Sequence, residues 1–168
     1  NGVITTDDRI IYSQRPDVTF GFNNTFNYKG FDLSVFLYAR LGQWIAYDYN
    51  TTYRINALEN GGNVDYWTPE NPTNAFPRPN KSKSYTQVTY YSTLKYEDGS
   101  FFKIRDITLG YTFKPELLKH LNLSRLRVYA TAKNFFTFSK IDNYDPEQGG
   151  SISFPMTKQL VFGLNVEF

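Results

Sequence analysis

Acidic side chains are the residues of this chain that are best suited to hold a metal ion. Asp142, Asp145 and Glu147 lie close together in a polar stretch near the end of the chain. Calcium takes oxygen ligands from carboxylates and carbonyls of flexible loops, so a structural calcium ion is the candidate cofactor here. Asp7 and Asp8 form a second candidate group. Neither group has EF-hand spacing, so the alternative stays open that these carboxylates only contact solvent.

Residues for nucleophilic catalysis are scarce. His120 is the only histidine and there is no cysteine, so Ser-His and Cys-His schemes lack their components. A glycosidase needs two carboxylates across a cleft, one of them with a raised pKa. With 16 acidic residues, candidate pairs arise by chance. The sequence therefore predicts that the chain is not an enzyme and has no catalytic residue.

Aromatic side chains are the second source of binding chemistry. Tyr and Trp rings contact the apolar faces of ligands and offer a polar tip. A long polar stretch after Trp44 contains five that are expected to contact a substrate or a lid protein: Tyr47, Tyr49, Tyr53, Tyr66 and Trp67. The alternative is that these rings pack against one another.

The elements that position these loops are strands, which are recognised by alternation of period two. In residues 18–28, for example, Phe20, Phe22, Phe26 and Tyr28 share one face and mostly polar or small residues share the other. Strands are expected near residues 18–28, 31–44, 101–113, 126–138 and 156–168. External loops are expected near residues 1–17, 45–98 and 140–155, with a short helix over residues 48–58. Phe102 and Ile104 are out of phase with their strand, which predicts a bulge or a local cluster on its polar side.

Composition favours strands that cross a membrane. Aromatic residues make up 18% of the chain, yet the mean hydropathy is −0.49. No window reaches the roughly 20 apolar residues of a membrane helix, whereas barrel strands hide their lipid face by alternation. Interfacial girdles account for the aromatic excess. The formal charge of +2 is too small to indicate a nucleic-acid partner.

The pattern of connections also favours a barrel, because short turns alternate with long loops. Five strands are fewer than the eight of the smallest single-chain barrels, so the chain is expected to be a fragment that begins within an external loop. It ends on Phe168, an aromatic terminus on an alternating strand. The rival hypothesis is a soluble all-β ligand-binding module, such as a carbohydrate-binding sandwich, which also predicts alternation.

Several segments together resemble the carboxyl-terminal end of the SusC/RagA family of TonB-dependent outer-membrane transporters. They are RPDVTFGFNNTF at 15–26, FDLSVF at 31–36, YWTPENP at 66–72, EDGSF at 97–101, ITLGY at 107–111, NFFTF at 134–138, YDPE at 144–147 and FGLNVEF at 162–168. The resemblance covers most of the chain, and its specificity comes from the set rather than from any one segment.

The resemblance implies an all-β, antiparallel transmembrane β-barrel of about 22 strands in the bacterial outer membrane, surrounded by lipid. It further implies an amino-terminal plug that is absent from this chain, a SusD/RagB-like surface lipoprotein as partner, and energy supplied by the TonB complex. The expected cargo is a nutrient oligosaccharide or oligopeptide. By the same resemblance, Gly163, Val166 and Phe168 belong to a terminal signal that the barrel assembly machinery reads.

Overall fold

Five antiparallel strands form the main sheet of the protein. The computed structural model describes residues 5–52, 62–82, 91–154 and 156–168. Its strands are β1 (Val18–Tyr28), β2 (Phe31–Leu41), β3 (Trp44–Ala46), β4 (Tyr96–Asp98), β5 (Phe101–Thr112), β6 (Arg125–Ser139) and β7 (Gln159–Glu167). The main sheet has the order β1-β2-β5-β6-β7, and β3 pairs with β4 in a separate ribbon. Every pairing is antiparallel, so the main sheet is a meander whose longest connection carries the ribbon.

The helices are short and lie in the connections. They are α1 (Asp48–Thr51), α2 (Pro115–Leu118) and single 3₁₀ turns at Thr6–Asp8, Tyr91–Lys95, Lys119–Leu121 and Pro146–Gln148. The helix predicted over 48–58 begins at Asp48, but residues 53–61 lie outside the described part of the chain. Among the described residues, none of the helices is both long and apolar enough to cross a membrane.

A two-residue turn joins β1 to β2. Lys29 and Gly30 both have positive φ, at 47° and 89°, which is the type I′ geometry that matches the twist of a hairpin. A Cβ at position 30 would lie 2.8 Å from the carbonyl oxygen of Thr112 on the neighbouring strand. Glycine is therefore required both for its backbone conformation and for its size.

The second strand is shorter than the alternation predicts. β2 was expected to reach residue 44 but ends at Leu41, because Gly42 has φ +79° and turns the chain out of the main sheet. Trp44 then starts β3, whose partner is β4. The amide of Gly99 donates to the carbonyl of Gln43 at 2.9 Å, so the ribbon begins directly beyond the edge where β2 ends and β5 begins.

A bulge interrupts the main sheet where the phase of β5 changes. Between Ile104 and Asp106 the pairing with both β2 and β6 shifts, which leaves Arg105 as the extra residue of β5. On β6, Asn134 adopts φ 59° at the same level. The bulge lets Ile104 and Ile107 share one face while Lys103 and Asp106 share the other, which explains the out-of-phase residues seen in the sequence.

One face of the main sheet is apolar across all five strands. Directly paired residues share a face, and one such row runs through Phe26, Leu33, Leu109, Ala130 and Phe162. Phe26 is 60% exposed and Phe162 is 77% exposed. Five strands at about 4.8 Å spacing and about 11 residues at 3.3 Å rise give roughly 850 Å² of face. That exceeds the ~300–600 Å² of the largest apolar patch on a typical soluble monomer.

Aromatic rings concentrate at the two ends of this apolar face. At the end with the short turns, the rings of Phe31 and Tyr111 lie 4.6 Å apart. At the end with the long loops, Phe102 and Phe138 lie 6.0 Å apart. Strands of this length tilted by about 40° span roughly 28 Å, close to the ~25 Å apolar band between the aromatic girdles of a membrane barrel.

The opposite face of the main sheet is polar and cross-linked by ion pairs. Arg127 on β6 reaches across β5 to Asp32 on β2 with two hydrogen bonds, at 2.9 and 2.5 Å. Between them lies Gly110, where any Cβ would collide with both side chains. In the same way the ring of Tyr129 covers Gly163 of the adjacent strand. Glycines on this face therefore make room for large side chains from neighbouring strands.

Candidate functional site

The loops at one end of the sheet pack into a single unit. Ile45 of β3 and Tyr47, which follows that strand, form a small buried core with Ile141 from the connection between β6 and β7. The amide of Asp48 also donates to the carbonyl of Gly150 at 2.9 Å. The two connections that the sequence suggested as separate external loops are therefore joined by apolar packing and by backbone hydrogen bonds.

Tyr47 belongs to this core rather than to a ligand-binding surface. Its side chain is 4% exposed, and its hydroxyl has no hydrogen-bond partner among the described residues. Burial, followed by the nearby Tyr49, raises the pKa of Tyr47 to about 12. The expectation that Tyr47 contacts a substrate is corrected by this burial, because a covered ring cannot stack on a ligand.

The other predicted loop aromatics lie in different surroundings. Tyr49 is half-buried, stacks on Tyr47 and accepts a hydrogen bond from the amide of Asn63 at 2.9 Å. Tyr66 and Trp67 are 42% and 39% exposed, and the Trp67 amide donates to the carbonyl of Phe76. They therefore present open rings from an ordered segment. Tyr53 lies outside the described residues.

A further aromatic stack in this region had no signal in the sequence. The ring of Tyr12 contacts both Trp44 and Tyr96: the ring centroids of Tyr12 and Trp44 are 4.3 Å apart, and those of Tyr12 and Tyr96 are 5.6 Å apart. The amide of Trp44 also donates to the carbonyl of Ser13 at 2.8 Å. The segment before β1 is thus fastened to the ribbon. The three rings of the stack come from three separate stretches of the chain, so only the fold brings them together.

A buried lysine holds the connection between β6 and β7 against the polar face. Lys103 of β5 is fully buried, and its ammonium donates to Asp145 at 2.6 Å and to Glu147 at 2.9 Å. Arg105 contacts Glu147 at 3.0 Å. Two cations therefore face two carboxylates, which is the condition under which buried charges are tolerated.

This arrangement bears on the candidate calcium site. Asp145 and Glu147 face the ammonium of Lys103, and Glu147 also contacts Arg105, while Asp142 is exposed and has no ion pair with the described residues. The described part of the chain contains no group of three or more His, Cys, Asp or Glu side chains arranged to hold a metal ion. At the second candidate, the Asp8 carboxylate caps a 3₁₀ turn by accepting from the amide of Thr5 at 2.6 Å.

The three residues of the expected assembly signal have different positions. Gly163 lies on the polar face under Tyr129, and Val166 lies on the apolar face opposite Leu126. Phe168 is 94% exposed, beyond the end of β7. Gly163 thus has a local steric function in addition to any function in assembly, which stays a prediction for all three.

A cleft of about 570 Å³ lies beside the buried lysine. Its floor is the polar side of β6 near Phe135 and Thr137, and its other wall is the chain from Ile141 to Asp145, with Lys158 at one side. Asp142 and Asp145 stand out in the sequence, but the cleft does not. Only the folded chain shows the cleft, because its floor and its wall come from different segments of the sequence.

These features define the class of the protein: a wall segment of an antiparallel β-barrel of the transmembrane type, with one apolar face and one polar face. No protein-family model matches the chain. The chain is 30% identical to TonB-dependent receptor P3 of Formosa agariphila and 30% identical to TonB-dependent receptor SusC of Bacteroides thetaiotaomicron, in both cases over its whole length. It covers 18% and 17% of those proteins, so it spans less than a fifth of the curated relatives it matches.

Solved structures show the same relationship. A chain of the RagAB peptide importer in the closed-closed state matches all of this chain with a TM-score of 0.77 and 27% identity, and the open-open state matches with 0.72 and 28%. In both cases 19% of the solved chain is covered. The chain is a barrel segment homologous to the SusC/RagA family of TonB-dependent receptors, which confirms the resemblance seen in the sequence and the predicted fold class.

Proposed function

We propose that this chain is part of the wall of an outer-membrane, TonB-dependent importer of nutrient oligomers. The observation that carries the proposal is the two-faced sheet: a row such as Phe26, Leu33, Leu109, Ala130 and Phe162 is wholly apolar, while the opposite face holds ion pairs. Lipid contact accounts for the first face and a water-filled interior accounts for the second.

The names of the relatives support the remaining parts of the proposal. They are TonB-dependent receptors, and one structural neighbour is a peptide importer. By analogy, a plug domain elsewhere in the protein engages the TonB complex, a SusD/RagB-like lipoprotein covers the external loops, and an oligosaccharide or oligopeptide passes the polar face. Tyr49, Tyr66 and Trp67 are the exposed or half-buried loop rings best placed to touch the cargo or the lipoprotein. The chain itself performs no covalent chemistry in this proposal.

Two neighbouring positions on β7 test the orientation of the sheet in the full-length receptor. Phe162 points to the apolar face and Val161 to the polar face, where it pairs with Thr131. A lysine on the lipid face near the bilayer midplane costs about 2–4 kcal/mol. Phe162→Lys is therefore expected to reduce the amount of assembled receptor strongly, whereas Val161→Lys leaves it near wild type.

The readout is a denaturing gel of outer membranes with and without boiling, probed for the receptor. An assembled barrel migrates as a compact species that boiling converts to the unfolded form. Equal tolerance of both lysines, together with recovery of the protein in the soluble fraction, would replace the barrel by the soluble all-β binding module.

A further inference from the structure

The cleft beside Lys103 lies on the side of the sheet that faces the barrel interior. Phe135 and Thr137 of β6 form its floor, and the chain from Ile141 to Asp145 returns over them. Its volume of about 570 Å³ lies within the ~300–1,000 Å³ range of small-ligand sites.

The wall of the cleft is held in place by buried contacts. Asp145 forms an ion pair with the fully buried Lys103, and Ile141 is part of the loop core. Tyr144 packs against the same core and contacts the ring of Tyr49, with centroids 6.5 Å apart. A ligand that enters the cleft therefore meets a preformed surface and does not have to order a loose loop.

The rim of the cleft carries a cation and a carboxylate that have no ion-pair partner among the described residues. Lys158 lies 5.9 Å above the ring of Phe135, and among the described residues it has no ion-pair partner. The side chains of Asp142, Asn143 and Thr137 likewise have no hydrogen bond or ion pair with any part of the chain that the structure describes. By contrast, the cations Lys103, Arg105, Arg125, Arg127 and Lys133 of β5 and β6 are all paired.

We propose that this cleft binds a short peptide segment of the imported cargo, with an acidic group at Lys158 and a basic group at Asp142. The proposal rests on the proposed import function. Opposite charges, a half-buried aromatic floor and the thioether of Met156 suit a chain of mixed side chains. The hydroxyls of a neutral oligosaccharide would hydrogen-bond to both groups but leave their charges unpaired, so a peptide with ionised groups is the better electrostatic match.

Binding is measured on full-length receptor that has passed the heat-dependent gel test, so that failure of assembly and failure of this proposal are distinguished. The probes are blocked pentapeptides with an Ala-Phe-Ala centre: one with glutamate first and glutamine last, one with glutamine first and lysine last, and one with glutamine at both ends. Maltohexaose is the glycan probe. Titration calorimetry gives the dissociation constants.

Wild-type receptor is expected to bind each charged peptide about tenfold more tightly than the neutral one. Lys158→Gln removes the preference for the glutamate peptide and retains the preference for the lysine peptide; Asp142→Asn does the reverse. Lys140→Gln is the matched control, because Lys140 is exposed, pairs with Asp98 at 3.0 Å and does not line the cleft.

Two outcomes overturn the proposal while leaving the import function intact. One is equal affinity for the three peptides, or preferences that Lys158→Gln and Asp142→Asn leave unchanged. The other is that Lys158→Gln and Asp142→Asn weaken the binding of maltohexaose, while Lys140→Gln and added peptide do not. That result would assign the cleft to a glycan.

Discussion

Replacing Lys103 with methionine is expected to release residues 140–152 from the polar face. The lysine is fully buried and is the only cation that contacts Asp145 in the described structure, since Arg105 contacts Glu147 alone. Methionine has a similar length and keeps the apolar packing of the stem. The change therefore removes a charge and leaves a nearly buried carboxylate without its partner.

The size of the effect follows from the burial of the ion pair. Breaking a buried pair by removing one partner costs about 3–5 kcal/mol. The side chains of Asp145 and Glu147 retain 12% and 10% exposure and can turn toward water, which favours the lower end. At about 1.4 kcal/mol per factor of ten, 3 kcal/mol corresponds to a population of the open loop that is roughly 150-fold larger.

Amide hydrogen exchange on the full-length receptor measures this opening. The informative amides are those of Glu147, which donates to Asp145 at 3.0 Å, and of Asp48, which donates to Gly150 at 2.9 Å. Lys133→Met is the control, because its pair with Asp106 is 3.8 Å long and partly exposed, worth about 0–1 kcal/mol. Exchange in Lys103→Met within about threefold of wild type would refute the argument from burial.

Three more changes test other parts of the structure. Gly163→Ala is expected to reduce the amount of assembled receptor, because the added Cβ collides with the ring of Tyr129. Gly21→Ala is the control, since its Cβ meets only ordinary contacts at 3.7 Å. Equal amounts of the compact, heat-sensitive species for both variants would contradict the steric argument. Tyr47→Phe is expected to stabilise the loop core by up to about 1–2 kcal/mol, since it deletes an unsatisfied buried hydroxyl. Because the pKa of Tyr47 is raised from 10.0 to about 12, the core keeps full stability below pH 10 and loses it as pH rises toward 12, and near-UV circular dichroism should show no such loss in the variant. Deleting Phe168 is expected to lower membrane insertion, and unchanged receptor levels in outer-membrane fractions would remove it from the assembly signal.

The strand pattern was readable from the sequence because alternation is a local property. A strand such as Val18–Tyr28 shows its two faces in its own residues, with no information about its neighbours. The end of the second strand was misjudged because Gly42 has a positive φ that alternation does not encode. The phase of Phe102 and Ile104 indicated a bulge at this level of the strand. Only the register with β2 and β6 shows that Arg105 is the extra residue.

The candidate site was harder to predict. Asp145 and Glu147 were recognised as acidic loop residues, yet their partner Lys103 is 42 and 44 positions away and sits in an ordinary alternating strand. Tyr47 and Tyr49 look alike in sequence, but one is buried in the loop core and the other is half-buried beside it. Such differences depend on which distant segment returns to cover a residue.

Fold class, the apolar and polar faces and the family relationship were contained in the chain's own order of residues, because they depend on period-two patterning and on short motifs. The identity of the buried cation, the packing of two loops into one core and the cleft near Lys158 arose only in the folded molecule. The physical reason is separation: hydrogen bonds and apolar contacts act over a few ångströms, and here they join residues that lie tens of positions apart. Local sequence specifies the faces of each strand, while the register between strands decides which charges meet.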